Sequence, residues 1–307
     1  MSRPPASDTL RAIGLMVLSM AGFATADSFI KLSADHLPAS QVLTALGIGG
    51  TVVFASISLV RGVPLISKRI IHPAVLSRGV AEIVATCGFL MALTLLDFSV
   101  ASSILQVAPL IVTLGAAVLL REAVSWRRWS AVIAGLIGVL IILNPTGTDT
   151  NLLQANPTGA ILALIGVTGL AGRDLATRFI PKDVPNLQAA TWGFVTVILA
   201  GCILVLFGDP WVWPTPLTWV YLGALIAFAC IGYFAITAAM RIGDVSAVAP
   251  FRYSRIVFAF ILSVALFGET LTPRILIGAA IIVSAGLYVW LRERNRAAPL
   301  QSTQQSR

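Results

Sequence analysis

Two arginines, Arg252 and Arg255, lie inside a long apolar stretch near the end of the sequence. A helix places both on one face, because they are three positions apart. A charge at the centre of a membrane-spanning helix costs about 2.5–3.5 kcal/mol, which makes such residues candidates for function. Guanidinium groups bind carboxylates and phosphates through paired hydrogen bonds. We expect at least one of the two to hold an anionic group; the alternatives are neutralisation by internal acids and extension towards the lipid headgroups.

Four uncharged side chains are candidates to complete this binding site. Tyr253 lies between the two arginines, and Gln106 supplies an amide near the middle of another apolar stretch. The alternative for Gln106 is a hydrogen bond to a neighbouring helix. Trp192 and Tyr233 offer aromatic faces to a planar solute, although ordinary packing is the alternative for both.

A single glutamate, Glu82, lies within the third apolar stretch, with Arg78 four positions before it. One interpretation is an ion pair between neighbouring turns of one helix. The other is proton coupling, because a desolvated carboxyl group can bind and release a proton near neutral pH.

Two further acid–base pairs have the same spacing. Asp27 precedes Lys31 by four positions, and Asp174 precedes Arg178 by four. Each can be a simple ion pair at a helix end. Each pair can also be a gate that closes the protein on its own side of the membrane by bonding to another helix. Arg173, next to Asp174, is then a candidate for the cytoplasmic exit.

Several kinds of chemistry have no support in the sequence. No glycine-rich phosphate loop precedes a Lys-Ser or Lys-Thr pair, so ATP-driven transport is not expected. The two histidines lie between the apolar stretches and form no catalytic or metal-ligand set with other residues. The three cysteines have no metal-ligand or disulfide spacing. We expect no enzymatic activity, no cofactor and no metal.

The composition is that of a membrane protein. Hydrophobic residues make up 57% of the 307 residues and charged residues only 11%, with a mean hydropathy of +0.91. A soluble domain carries about 25% charged residues. About 20 apolar residues are needed to span a bilayer as a helix. The sequence predicts an all-α protein with ten spans, at 11–33, 38–60, 74–96, 98–120, 127–144, 158–180, 187–207, 217–240, 245–267 and 273–291.

The basic residues predict the orientation of these spans. With the N-terminus in the cytoplasm, 15 lysines and arginines fall on the inner side and two on the outer side. This is the bias of inner-membrane proteins, and an even number of spans places both termini in the cytoplasm. The net charge of +8 is therefore explained without a nucleic-acid partner.

The sequence repeats itself at an offset of 147 positions. This offset places Asp27 over Asp174, Gln41 over Gln188, Asp97 over Asp244 and Glu122 over Glu269. The spans superpose as well, giving five-helix repeats at 11–144 and 158–291, with tails at 1–10 and 292–307. Because five is odd, the repeats enter the membrane from opposite sides, as in many secondary transporters. Two such halves can exchange conformations, which predicts inward-open and outward-open states of nearly equal energy.

One glutamate ends the fourth span of each repeat: Glu122 in the first and Glu269 in the second. Their repetition suggests a structural role, in which each carboxylate favours the positive N-terminus of the following helix.

The repeated motifs resemble those of the drug/metabolite transporter superfamily, with two EamA-type repeats. They are Ala108-Pro109, Arg121-Glu122, Trp129 and Gly135 in the first half, and Pro250, Gly268-Glu269-Thr270, Gly278 and Gly286 in the second. The resemblance implies a central cavity lined by the first four helices of each repeat, with the fifth helices peripheral. It admits amino-acid exporters, S-adenosylmethionine carriers and vitamin carriers.

We therefore expect a secondary transporter that moves a small anionic or zwitterionic metabolite across the inner membrane by alternating access. The chain contacts the lipid bilayer and is a monomer or a homodimer. The alternatives are a flippase for a lipid-linked substrate and a membrane scaffold protein that transports nothing.

Overall fold

A computed structural model describes residues 6–119, 126–143, 156–181, 184–206, 210–242 and 248–297, and the regular structure in these ranges is entirely helical. Eight stretches there are long and apolar enough to cross a membrane. Two shorter apolar helices, Trp129–Leu143 and Pro273–Tyr288, occupy the positions of the fifth and tenth predicted spans. The prediction of an all-α protein with ten spans is confirmed.

The described residues of the first half form six α-helices: α1 (Ala6–Ala34), α2 (Ala39–Val60), α3 (Pro73–Leu95), α4 (Phe98–Leu105), α5 (Ala108–Leu119) and α6 (Trp126–Leu143). Those of the second half form five: α7 (Pro157–Thr177), α8 (Asn186–Val205), α9 (Pro216–Ile242), α10 (Ser254–Phe267) and α11 (Pro273–Ala297). Short 3₁₀-helices cover Lys68–Ile71 and Ala249–Tyr253.

The fourth span is interrupted, where the sequence predicted one continuous helix over 98–120. Helix α4 ends at Leu105 and α5 begins at Ala108. Pro109 has no N–H to donate to the carbonyl group of Leu105, so the regular hydrogen-bond ladder cannot continue there. The ninth span changes from a 3₁₀-helix to α10 between Tyr253 and Ser254. The offset of 147 maps residues 106–107 onto this point, so both halves break at equivalent positions.

The packing of the helices follows a two-fold relation between the halves. Helix α3 packs on α7, and their mates α9 and α1 pack on each other. The self-related pairs, α2 with α8 and α6 with α11, are also in contact. The amide nitrogen of Gln106 lies 3.4 Å from the carbonyl oxygen of its mate Tyr253, which places the pseudo-two-fold axis between these residues. The halves form the inverted repeats expected of five-span units.

Glycines allow the closest helix crossings. A Cβ atom on Gly88 of α3 would lie 2.7 Å from the backbone nitrogen of Gly166 of α7. At the equivalent crossing, a Cβ atom on Gly22 of α1 would lie 3.2 Å from the Cα atom of Gly232 of α9. Small residues let helix backbones touch in a membrane, where the hydrophobic effect does not drive helices together.

Candidate functional site

A cavity of about 400 Å³ lies among the first four spans of each half, and none of its lining residues belongs to α6 or α11. This volume is in the range of small-molecule sites. Seven charged residues line it: Asp27, Arg78, Glu82, Arg173, Asp174, Arg252 and Arg255. Because charges inside a membrane are costly, their convergence on one cavity marks it as the candidate site.

An ion pair between the halves crosses this cavity. The guanidinium group of Arg255 on α10 donates a hydrogen bond to the carboxylate of Asp27 on α1. Both side chains are largely buried, with 19% and 11% of their surface exposed. The guanidinium carbon also lies 5.6 Å from the ring centroid of Phe23, within range of a cation–π contact. Asp27 is therefore paired with α10, and not with Lys31 on its own helix.

The other five charges form a chain of ion pairs. Arg173 lies 2.9 Å from Asp174 and 3.3 Å from Glu82, and Arg78 lies 3.5 Å from the other oxygen of Glu82. The second oxygen of Asp174 lies 3.4 Å from Arg252. Glu82 thus contacts two arginines, one of them Arg78, the partner that the ion-pair interpretation predicts. Four guanidinium groups against three carboxylates leave the described lining with one positive charge in surplus.

The cavity is most accessible beside Arg252, whose side chain is 40% exposed, against 10% for Glu82. We call the end of the cavity that holds this chain of ion pairs the mouth end, and the opposite end the far end; the chain comprises Arg252, Asp174, Arg173, Glu82 and Arg78. Val248, near Arg252, packs against Ala12 and Met16 in the first part of α1. The mouth end is therefore on the side of the membrane where α1 begins.

The uncharged candidates divide into two groups. Gln106, Tyr233 and Tyr253 line the cavity, whereas Trp192 is not among the lining residues. The Trp192 indole donates instead a 2.8 Å hydrogen bond to the carbonyl oxygen of Leu65. The Tyr253 ring packs against Gly286, and its hydroxyl group is buried with no partner among the described residues. Tyr253 therefore presents its backbone carbonyl to Gln106, and its phenol faces away from that contact.

Aromatic side chains flank the charged residues. Phe194 lines the cavity beside Tyr233, with ring centroids 6.4 Å apart in an edge-to-face arrangement. Tyr233 is also close enough to Arg78, Arg173 and Glu82 to interact with them electrostatically. Tyr233 was among the residues predicted from the sequence, whereas Phe194 was not, because most of the spans contain phenylalanines and none is distinguished by its type alone.

Beyond the far end, Glu269 links three helices. One carboxylate oxygen accepts a hydrogen bond from the backbone N–H of Phe98, and the other accepts from Ser99 at 2.9 Å. These donors begin α4, whose N-terminus favours a negative charge. Lys31 of α1 lies 3.8 Å from Glu269 and donates to the carbonyl oxygen of Leu96 at 2.6 Å. We call this group, Lys31, Glu269 and the first residues of α4, the far-end latch.

This arrangement corrects the expected role of Glu269. The sequence analysis assigned the carboxylate to the following helix, α11, but it caps α4 of the other half. Its mate Glu122 lies outside the described residues. Arg178, the mate of Lys31, is exposed at the end of α7 and does not line the cavity.

Two glutamines at equivalent positions of the two repeats make equivalent contacts. Gln41 of α2 exchanges two hydrogen bonds with the backbone of Val212, at 2.9 and 3.1 Å. Its mate Gln188 of α8 donates to Leu65, the mate of Val212, at 3.4 Å. Each half therefore holds a loop of the other.

The fold and the cavity define a polytopic membrane protein built from two inverted repeats around a central cavity. The chain belongs to the EamA-like transporter family, whose model matches residues 10–144 and 157–291. This membership and the transporter names of its relatives support a non-enzymatic transporter of small molecules. The bacterial relatives support an inner-membrane location.

Two relatives illustrate the range of named substrates. A riboflavin transporter of Vibrio cholerae is 28% identical over 197 residues, which cover 63% of each chain. An S-adenosylmethionine uptake transporter of Rickettsia felis is 22% identical over 287 residues, covering 93% of this chain and 94% of the relative. The match to the Vibrio transporter thus spans just under two thirds of that protein. A solved crystal structure shares the fold, with a TM-score of 0.63 at 23% identity, over 96% of this chain and 99% of that one.

Proposed function

We propose that this protein is a secondary transporter that moves a small metabolite bearing an anionic or zwitterionic group. The observation that carries the proposal is the state of Arg252. Its side chain is the most exposed among the ion-paired residues that line the cavity. The distance between its guanidinium nitrogen and the carboxylate oxygen of Asp174 is 3.4 Å. A guanidinium group has five N–H donors, so Arg252 can bind a carboxylate or phosphate and still keep its ion pair with Asp174.

The named substrates of the two relatives support a more specific class. Riboflavin and S-adenosylmethionine both combine a planar heterocycle with a polar chain, and S-adenosylmethionine also carries a carboxylate and an ammonium group. In this chain, Phe194 and Tyr233 line the same cavity as Arg252, Arg173 and Asp174. We propose a planar heterocycle with a charged or polar chain as the substrate, with its charged group at Arg252 and the rest of the molecule towards the Arg255–Asp27 pair, Gln106 and Tyr253. Trp192 supports this site only indirectly, through the loop at Leu65.

We further propose that transport occurs by alternating access, with the far-end latch as one gate. Lys31 and Glu269 join α1, α4 and α10 on the side away from the mouth end. Release of the substrate on that side requires these contacts to separate. Arg173, Asp174 and the exposed Arg178 are the corresponding candidates at the mouth end, and Asp27 connects the two halves through Arg255.

The positive-inside bias supports an orientation in which both termini and the mouth end face the cytoplasm. In that orientation the structure is open to the inside and closed by the latch on the outside.

The test is a comparison of metabolite movement in everted and right-side-out membrane vesicles, using riboflavin, S-adenosylmethionine and a panel of amino acids. We expect saturable movement of at least one solute, lost in Arg255→Ala and reduced at least tenfold in Arg252→Gln. Arg61→Gln, an exposed arginine outside the cavity, is the matched control and should transport normally. Unchanged transport of every solute in both cavity variants would contradict the anion-binding role.

A further inference from the structure

The two ends of the cavity differ chemically although the two halves repeat each other. Under the offset of 147, Leu225 corresponds to Arg78, Ala229 to Glu82 and Leu105 to Arg252, and all six residues line the cavity. Arg173 likewise corresponds to an alanine, Ala26. A duplicated unit would give equivalent linings at both ends. Four charged positions at the mouth end have instead been matched by aliphatic side chains.

One repeated position carries an aspartate at both ends of the cavity, but the two aspartates have different surroundings. Asp174 lies at the mouth end, with 25% of its side chain exposed, whereas its mate Asp27 is 11% exposed and bound by Arg255. The described lining of the far end is therefore electrically neutral and otherwise mainly apolar. The mouth end keeps three arginines against two acids, which is one positive charge in surplus.

This polarity specifies how a solute can bind. An ion placed at the far end would lose its hydration and find mainly apolar neighbours and an already neutralised pair, which is unfavourable. Apolar surface placed there is stabilised in proportion to the area removed from water. At the mouth end the preference is reversed, because Arg252 uses one of its five N–H donors on Asp174 among the described residues.

We propose that the cavity binds an amphipathic anion in one orientation, with its charged group beside Arg252 and its apolar part against Leu105, Leu225 and Ala229. The inference rests on the proposed transport function and adds to it the direction in which the substrate lies. The substrate enters from the mouth end with its apolar part leading.

The experiment measures binding of a graded series of acids to the full chain in lipid nanodiscs, with empty nanodiscs subtracted. The probes are phenylacetate, 3-phenylpropionate and 4-phenylbutyrate, with the neutral amide 4-phenylbutyramide as the uncharged member. We expect affinity to rise about fourfold for each added methylene group. The amide should bind at least tenfold more weakly than 4-phenylbutyrate, because a charge-assisted hydrogen bond is lost.

Variants separate the two ends. Arg252→Gln should weaken the acids about tenfold and leave the amide unchanged, whereas Arg61→Gln should change neither. Ala229→Leu should abolish the gain from added methylene groups by filling the far end, while Ala227→Leu, on the exposed side of the same helix, should not. Leu225→Ala is the complementary variant, and it should extend the gain to 5-phenylpentanoate.

Absence of saturable binding by all the acids, equal affinities along the series, or equal affinities of acid and amide would each overturn the inference. These outcomes are independent of the vesicle assay. Arg252-dependent transport of a metabolite without graded binding of the acids would overturn only the orientation. Graded binding without transport of any solute would overturn the proposed function and leave the orientation intact.

Discussion

Replacing Asp27 by asparagine should destabilise the protein far more than the same change at its mate, Asp174. Asp27→Asn leaves Arg255 with an uncompensated charge, and only 19% of that side chain is exposed. Removal of one partner from a buried ion pair costs about 3–5 kcal/mol. At Asp174, 25% of the side chain is exposed, and its partners Arg173 and Arg252 are 26% and 40% exposed. Arg173 also keeps Glu82 as a partner when Asp174 is replaced. Ion pairs that water reaches contribute about 0–1 kcal/mol, so Asp174→Asn should cost about that much.

A double-mutant cycle tests the origin of this difference. Arg255→Gln alone leaves Asp27 uncompensated, and we expect a loss of similar size. The double variant Asp27→Asn with Arg255→Gln removes both charges and should recover most of the stability, which gives a coupling energy of about 2–4 kcal/mol.

The assay is reversible unfolding by a denaturing detergent in mixed micelles of fixed composition, followed by circular dichroism. Two results would refute the reasoning. One is an equal cost for Asp27→Asn and Asp174→Asn. The other is simple additivity of the Asp27 and Arg255 substitutions, which would show that the two side chains do not stabilise each other.

Three further predictions concern the gate, the ion chain and the packing. Glu269→Gln should lower the free energy of unfolding by about 1–2 kcal/mol and speed maleimide labelling of a cysteine placed at the far end. The control is Asp97→Asn, which changes an exposed acid at the start of the same helix, α4. Because Asp97 makes no side-chain cap hydrogen bond, its replacement should change neither stability nor labelling. Glu82→Gln should lower the transport rate in vesicles and leave its response to a pH gradient unchanged, whereas loss of that response would assign proton coupling to this residue. Gly166→Ala should reduce the unfolding midpoint, because a Cβ atom there would lie 2.6 Å from the backbone nitrogen of Phe89. Gly14→Ala is the control, since a Cβ atom on Gly14 would have nothing within 4 Å. Equal stability of the two variants would contradict the packing argument.

The sequence predicts the architecture because a membrane restricts the possible structures. Ten apolar stretches of sufficient length leave little choice of fold, and the offset of 147 relates the two halves without a gap. The same offset aligned Gln41 with Gln188, and the structure shows why both are present: each holds a loop of the opposite half. The inverted repeat was thus readable from residue types and spacing alone.

The partners of the charged residues were not predictable in the same way. The spacing of Asp27 and Lys31 suggested a pair within α1, but Asp27 pairs with Arg255 and Lys31 with Glu269. These partners are more than 200 positions away in sequence and are brought together by helix packing. Local spacing identifies candidates for an ion pair, and only the crossing of α1 with α10 selects between them. Glu82 and Arg78 kept their local pair because both lie on one face of α3.

The unequal lining also changes the energetic expectation drawn from the repeat. Two inverted halves predict inward-open and outward-open states of nearly equal energy, provided that equivalent positions carry equivalent side chains. Here, closing the far end brings Leu105, Leu225 and Ala229 together, and burial of aliphatic surface stabilises that state. Closing the mouth end must remove water from Arg252 and Asp174, which costs several kcal/mol unless every charge gains a partner. We therefore expect the solute-free chain to favour the state seen here, with the far end closed, and an anion beside Arg252 to lower the energy of the opposite state.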